Sequence, residues 1–131
     1  MPSPAHKVLV VDDNLGMWVG LRAALNCEGC FEAVGPARTL AEALTLASAA
    51  DAAVLDLTLP DSCGVDTARR FRDTHPKLPV VLYSGLLLGD DADRYVNARV
   101  DKGRVDELLQ TLRRVCASPD DGCVACGPPG R

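Results

Sequence analysis

Asp12, Asp13, Asp56, Ser84 and Lys102 share a position as well as a chemistry: each lies at or just beyond the end of a short run that reads as a strand. Val8-Leu9-Val10-Val11 runs into Asp12-Asp13, and Ala52-Ala53-Val54-Leu55 runs into Asp56. Pro79-Val80-Val81-Leu82-Tyr83 ends at Ser84-Gly85, and the short run from Ala98 to Asp101 is followed by Lys102. Three carboxylates brought together repel one another and raise one another's pKa, and a divalent cation removes the conflict. Hard oxygen donors select Mg²⁺ or Ca²⁺ over zinc. Mg²⁺ takes one or two carboxylates, keeps waters and accepts phosphate oxygens, which suits an open site. A lysine ammonium is a compact charge that can meet an anion there, and a serine offers a hydroxyl. The set fits phosphoryl transfer, in which catalysis is mostly positioning and charge neutralisation. A carboxylate can serve as the nucleophile, giving an aspartyl phosphate. Asp56, which ends the third and central predicted strand, is the candidate nucleophile.

These residues converge only if the runs are neighbouring strands. The first three runs are apolar throughout, as expected of strands buried on both faces, while Ala98 to Asp101 is a short and weaker strand. Helical patterns separate them. Leu15, Trp18, Leu21 and Leu25 follow caps at Asp13 or Asn14, with Trp18 read as a packing residue. Phe31 to Val34 is a strand closed by Gly35-Pro36. Thr39 and Glu42 have capping-box spacing before Leu40, Ala43, Leu44 and Ala47. Val65, Ala68 and Phe71 mark a third helix, residues 86–95 a short one, and Val105, Leu108, Leu109, Leu112 and Val115 a clear last one. Strands alternating with helices predict an α/β fold, a parallel sheet with helices on both faces. Right-handed crossovers then place every strand C-terminus on one edge, where such sheets bind ligands.

Composition narrows the function classes. A chain of 131 residues fits one domain. The hydrophobic fraction of 47% supports a core, and 4% aromatics leaves Val, Leu and Ala to fill it. A net charge of −4 argues against nucleic-acid binding, which wants a basic face. No apolar run reaches the roughly 20 residues of a membrane span, and residues 1–7 do not form a signal peptide. The expectation is a cytoplasmic protein that contacts neither nucleic acid nor membrane. Residues 1–6 read as an N-terminal extension, 7–116 as the domain, and 117–131 as a tail rich in Cys, Gly and Pro with no core of its own.

From about residue 6 to 116, the chain resembles the receiver domain of two-component response regulators. The resemblance is carried by Val8-Leu9-Val10-Val11-Asp12-Asp13-Asn14, by Val54-Leu55-Asp56-Leu57-Thr58-Leu59-Pro60-Asp61-Ser62-Cys63-Gly64, by Val81-Leu82-Tyr83-Ser84-Gly85 and by Val100-Asp101-Lys102. It implies a doubly wound, flavodoxin-like five-stranded parallel sheet of order 2-1-3-4-5. It implies that Asp56 accepts a phosphoryl group from a phosphohistidine on a sensor histidine kinase or histidine phosphotransfer protein. It implies Mg²⁺ held by Asp13, Asp56 and the Thr58 backbone carbonyl, with Asp12 acting through a water, and phosphoryl oxygens held by Ser84 and Lys102. Phosphorylation would then bias the face formed by the fourth helix, fifth strand and fifth helix toward a downstream protein partner.

The chain departs from the family pattern on that output side. Arg99 stands where an aromatic residue is usual, Gly103 follows the lysine where proline is usual, and the stretch from Ser84 to Lys102 is short by about one helical turn. The first reading is a stand-alone receiver that is a phosphoacceptor and not an enzyme. The alternative is a degenerate receiver, a protein-interaction module independent of phosphorylation. A hydrolase with an aspartate nucleophile would want an acid two residues after Asp56, and Thr58 stands there.

Cys27 and Cys30, and Cys123 and Cys126, form two C-x₂-C pairs. The fold would bring the tail near the end of the first helix, where four thiolates would suit zinc and two pairs would suit disulfides. Incidental thiols are the favoured reading.

Overall fold

The computed structural model describes residues 5–27, 29–85 and 90–116. Five strands form one parallel sheet: β1 (His6–Val11), β2 (Phe31–Ala37), β3 (Ala52–Leu55), β6 (Val80–Ser84) and β7 (Ala98–Asp101). The strands β4 (Thr58–Leu59) and β5 (Ser62–Cys63) form a small antiparallel hairpin between β3 and the next helix. The sheet order is β2-β1-β3-β6-β7. With the hairpin set aside this is the 2-1-3-4-5 order that the family resemblance implies. The α-helices are α1 (Leu15–Cys27), α2 (Leu40–Leu46), α3 (Val65–Thr74) and α4 (Val105–Cys116).

Alternation along the strands builds two cores. Val8, Val10, Val54, Val81, Tyr83 and Val100 face a layer containing Trp18, Leu21 and Leu25 of α1 and Leu108 and Leu112 of α4. Leu9, Val11, Ala53, Leu55, Val80 and Leu82 face the other layer, with Leu40 and Ala43 of α2 and Ala68 and Phe71 of α3. Both faces are covered, which is why the central strands β3 and β6 and the second half of β1 read as unbroken apolar runs.

The helix starts are capped locally. The Asn14 side chain accepts the Met17 N–H at 3.1 Å, so Asn14 caps α1. At α2 the Thr39 hydroxyl accepts the Glu42 N–H at 3.1 Å. The Glu42 carboxylate reaches back to the Arg38 N–H at 2.9 Å, one residue before the usual capping-box partner.

Two elements differ from their sequence reading. The strand expected to close at Gly35-Pro36 continues through it to Ala37, with a register shift against β1 between Leu9 and Val11. Gly35 has φ +123, and a Cβ there would lie 2.9 Å from Ala37 N and 3.0 Å from Val10 O, so only glycine fits this close approach. Pairing resumes beyond it at Val11↔Ala37, next to the Asp12 turn. Between β6 and β7 the described helical residues form a 3₁₀ helix, Asp90–Tyr95, in place of an α-helix. Cys30 is disulfide-bonded, which withdraws it from a thiolate set, and Cys27 is an exposed thiol. Cys123 and Cys126 lie outside the described residues.

Candidate functional site

The carboxyl ends of β1, β3, β6 and β7 meet at one edge, and backbone hydrogen bonds between strands set their relative height. The Asp56 N–H donates to Val11 O at 3.0 Å, and the Asp12 N–H donates to Ala37 O at 2.9 Å. Lys102 N–H donates to Ser84 O at 3.1 Å, just beyond the Ser84↔Asp101 pair of the β6–β7 ladder. Asp12, Asp56, Ser84 and Lys102 are thereby brought to one edge.

Carboxylate oxygens of Asp12, Asp13 and Asp56 all lie within 4.8 Å of one another. Asp12 is 3% exposed and Asp56 8%, whereas Asp13 is open to solvent. Each buried carboxylate divides its oxygens between two tasks. Asp12 accepts the Asn14 N–H on Oδ1 at 2.9 Å and meets Lys102 Nζ with Oδ2 at 3.1 Å. Asp56 accepts the Thr58 N–H on Oδ1 at 3.2 Å and meets Lys102 Nζ with Oδ2 at 3.2 Å. Asp13 completes the oxygen set from the solvent side. Ser84 is buried.

Burial raises the Asp56 pKa above the usual carboxylate value, and the Thr58 N–H and the Lys102 charge only partly oppose it. Burial works against the Lys102 ammonium, but hydrogen bonds and attraction from Asp12 and Asp56 outweigh it, so its pKa is raised. The ammonium therefore stays charged between two carboxylates. Three carboxylates around one lysine keep an excess of negative charge at an open edge. An all-oxygen donor set of this kind fits a hard divalent cation such as Mg²⁺.

The loop after Asp56 is fastened down. The Gly64 N–H donates to Leu57 O at 2.9 Å, and the Thr67 hydroxyl donates to the same carbonyl at 3.2 Å. The Ser62 and Thr67 hydroxyls share a hydrogen bond of 2.7 Å. Asp61, at the hairpin turn, accepts the Leu40 N–H at 2.7 Å and the Ala41 N–H at 3.1 Å, and so caps α2 from outside that helix. The residue types of Asp61 and Thr67 gave no hint of these bonds. The Asp61 partners stand 20 and 21 residues away, and no local pattern records such a contact.

At the opposite edge, where β6 and β7 begin, Arg72 of α3 makes a fork of hydrogen bonds. Its Nε donates to Tyr95 O at 3.0 Å, one NH group donates to Pro76 O and Leu78 O at 2.9 Å each, and the other donates to Asn97 Oδ1 at 2.6 Å. Asn97 Oδ1 also accepts the Val80 N–H at 2.9 Å. This fork ties the end of the 3₁₀ helix to α3 and to the start of β6.

A family model described as "Response regulator receiver domain" matches residues 8–111. Among curated proteins, the chain is 26% identical over 125 residues to a protein-glutamate methylesterase/protein-glutamine glutaminase of Trichodesmium erythraeum, covering 85% of this chain and 35% of that protein. It is 33% identical over 129 residues to the response regulator MprA of Mycolicibacterium vanbaalenii, covering 88% of this chain and 53% of that protein. The chain thus spans about a third of the methylesterase and about half of the regulator. Among solved structures, the response regulator domain of Thermotoga maritima CheB superposes with a TM-score of 0.77 at 22% identity, covering 88% of this chain and 99% of that one. A CheY-like receiver domain from Methylobacillus flagellatus gives 0.73 at 23% identity, covering 85% and 98%. At these identities the superpositions speak for the fold.

Proposed function

Because the chain belongs to the response regulator receiver domain family, we propose that it accepts a phosphoryl group on Asp56 from a phosphohistidine donor in Mg²⁺-dependent relay signalling. The carrying observation is the placement of Lys102 Nζ against both Asp12 and Asp56, beside a third carboxylate. Asp12, Asp13, Asp56 and the Thr58 carbonyl would hold the metal ion, Asp12 through a water. When bound, the ion neutralises charge on the phosphoryl oxygens. An Asp56 carboxylate oxygen bonds to phosphorus as the N–P bond of the donor imidazole breaks, and that imidazole keeps the electron pair and is reprotonated from water. Lys102 and the Ser84 hydroxyl take the equatorial phosphoryl oxygens, where charge is spread in the transition state.

The donor is a sensor histidine kinase or a histidine phosphotransfer protein. Leu15 and Val19, one turn apart on α1, are 49% and 53% exposed and give such a protein an apolar foothold at the aspartate end of the sheet. This role places the chain in the cytoplasm, as a phosphoacceptor without turnover of its own, passing its state to a downstream protein. The net charge of −4 speaks against direct contact with nucleic acid.

Acetyl phosphate or a phosphorylated histidine donor, supplied with Mg²⁺, is expected to label the wild-type protein and not Asp56→Ala. Equal labelling of the two, or none of the wild type, would overturn the proposal.

One observation favours the alternative, a receiver that binds its partner without phosphorylation. A 3₁₀ helix at Asp90–Tyr95 and Arg99 on β7 occupy the usual output face. Partner affinity that is the same with and without the Asp56 phosphoryl group would select that reading.

A further inference from the structure

The turn that carries Lys102 is short and lies between elements. β7 ends at Asp101 and α4 begins at Val105, so the residues between have no helix or ladder to fix them. Backbone bonds hold part of it: Lys102 N–H to Ser84 O at 3.1 Å and Arg104 N–H to Asp101 O at 3.1 Å. The bond between these two comes from a side chain. The Gly103 N–H donates to the Tyr83 hydroxyl at 2.8 Å. Gly103 has φ +97, a conformation that favours glycine, and the turn depends on it to aim this amide at the core.

Tyr83 is a firm anchor. It is 1% exposed and its ring belongs to the core layer of Trp18, Leu21, Leu108 and Leu112. A buried phenol needs a partner for its oxygen, and the Gly103 amide supplies it. Tyr83 and Ser84 are consecutive on β6, so the two bonds from Gly103 and Lys102 fix the turn to adjacent residues of one strand. A lysine side chain is a flexible four-carbon stem, so the place of its ammonium depends on where the backbone starts.

We propose that Tyr83 is a positioning residue for phosphoryl transfer: by holding the Gly103 amide, its hydroxyl keeps the Lys102 ammonium at Asp12 and Asp56. This rests on the reading of Asp56 as phosphoacceptor. Tyr83 touches neither donor nor metal, and acts through the turn. It is separate from the residue at position 99 of β7, and it gives the edge an aromatic side chain tied directly to the lysine turn.

Tyr83→Phe keeps the ring in the core and removes only the acceptor. Initial rates of Asp56 phosphorylation from acetyl phosphate, measured across Mg²⁺ concentrations, are expected to show a maximal rate about five-fold lower with an unchanged half-saturating Mg²⁺ concentration. Hydrogen exchange by NMR should show the Gly103 amide losing protection while the Lys102 amide, bonded to Ser84 O, keeps it. A variant that matches the wild-type rate, or a Gly103 amide that exchanges as before, would overturn the inference. A rise in half-saturating Mg²⁺ would also overturn it, since that would make Tyr83 a general support of the site. A labelled wild type beside an indifferent Tyr83→Phe sinks this inference alone. A wild type that takes no label sinks the phosphoacceptor reading, and this inference with it.

Discussion

Lys102 Nζ lies 3.2 Å from Asp56 Oδ2, although 46 residues separate them in the chain. The pair does not balance. Burial, with a smaller push from Asp12, raises the Asp56 pKa despite the lysine and the Thr58 N–H. A carboxyl whose folded pKa lies above its unfolded value binds protons more readily when folded. Its contribution to stability is therefore present below the unfolded pKa of about 3.9 and is lost as pH rises through the folded value. At neutral pH the ionised Asp56 is a cost to the metal-free fold. Asp56→Asn should raise Tm by a few degrees at pH 7 without Mg²⁺, and the gain should shrink toward pH 3. Thermal melts of both proteins across this range check it; a lower Tm for the variant at pH 7 would contradict it.

Asp61 behaves in the opposite sense. Its bonds from the Leu40 and Ala41 amides hold its pKa below the usual value. Its contribution is then present above about pH 3.9 and lost as pH falls through the folded pKa. Asp61→Ala should lower Tm measurably from pH 5 to 7, and the difference from wild type should close as the pH falls below the ordinary carboxylate range. A difference that stays constant through acid would mean that the carboxylate charge is not what caps α2.

Arg72 joins three segments that are separate in the chain. Its guanidinium joins α3 to Tyr95, Asn97 and Leu78, and truncation strands several acceptors at once. Arg72→Ala is expected to cost about 2–3 kcal/mol in urea unfolding, from partners worth roughly 1 kcal/mol each. Arg72→Lys should recover only part of this, because an ammonium cannot reproduce the planar fork. Full recovery by lysine would show that charge, not geometry, holds the connection.

The parallel sheet covered on both faces and the edge bearing Asp12, Asp13, Asp56, Ser84 and Lys102 were legible in the residues, whereas the strand order came from the family resemblance. The reason is physical: strands covered on both faces are apolar along their whole length, so the first polar residue after each run marks its end. The capping of α2 by Thr39 and Glu42 was legible for a similar reason, since its partners lie within one turn. Tertiary structure decided what depends on pairs far apart in the chain. The Asp61 cap on α2, the Arg72 bonds to Tyr95 and Asn97 and the Tyr83–Gly103 bond join residues 20 to 25 apart. β2 passed beyond Gly35-Pro36 because pairing with β1 resumed at Ala37, which no local turn signal predicts. The sequence by itself determined which polar side chains would gather at one edge of the sheet. The distances among them, and the side chains that hold them there, were decided by hydrogen bonds between distant segments, whose partners become neighbours only when the sheet and helices close.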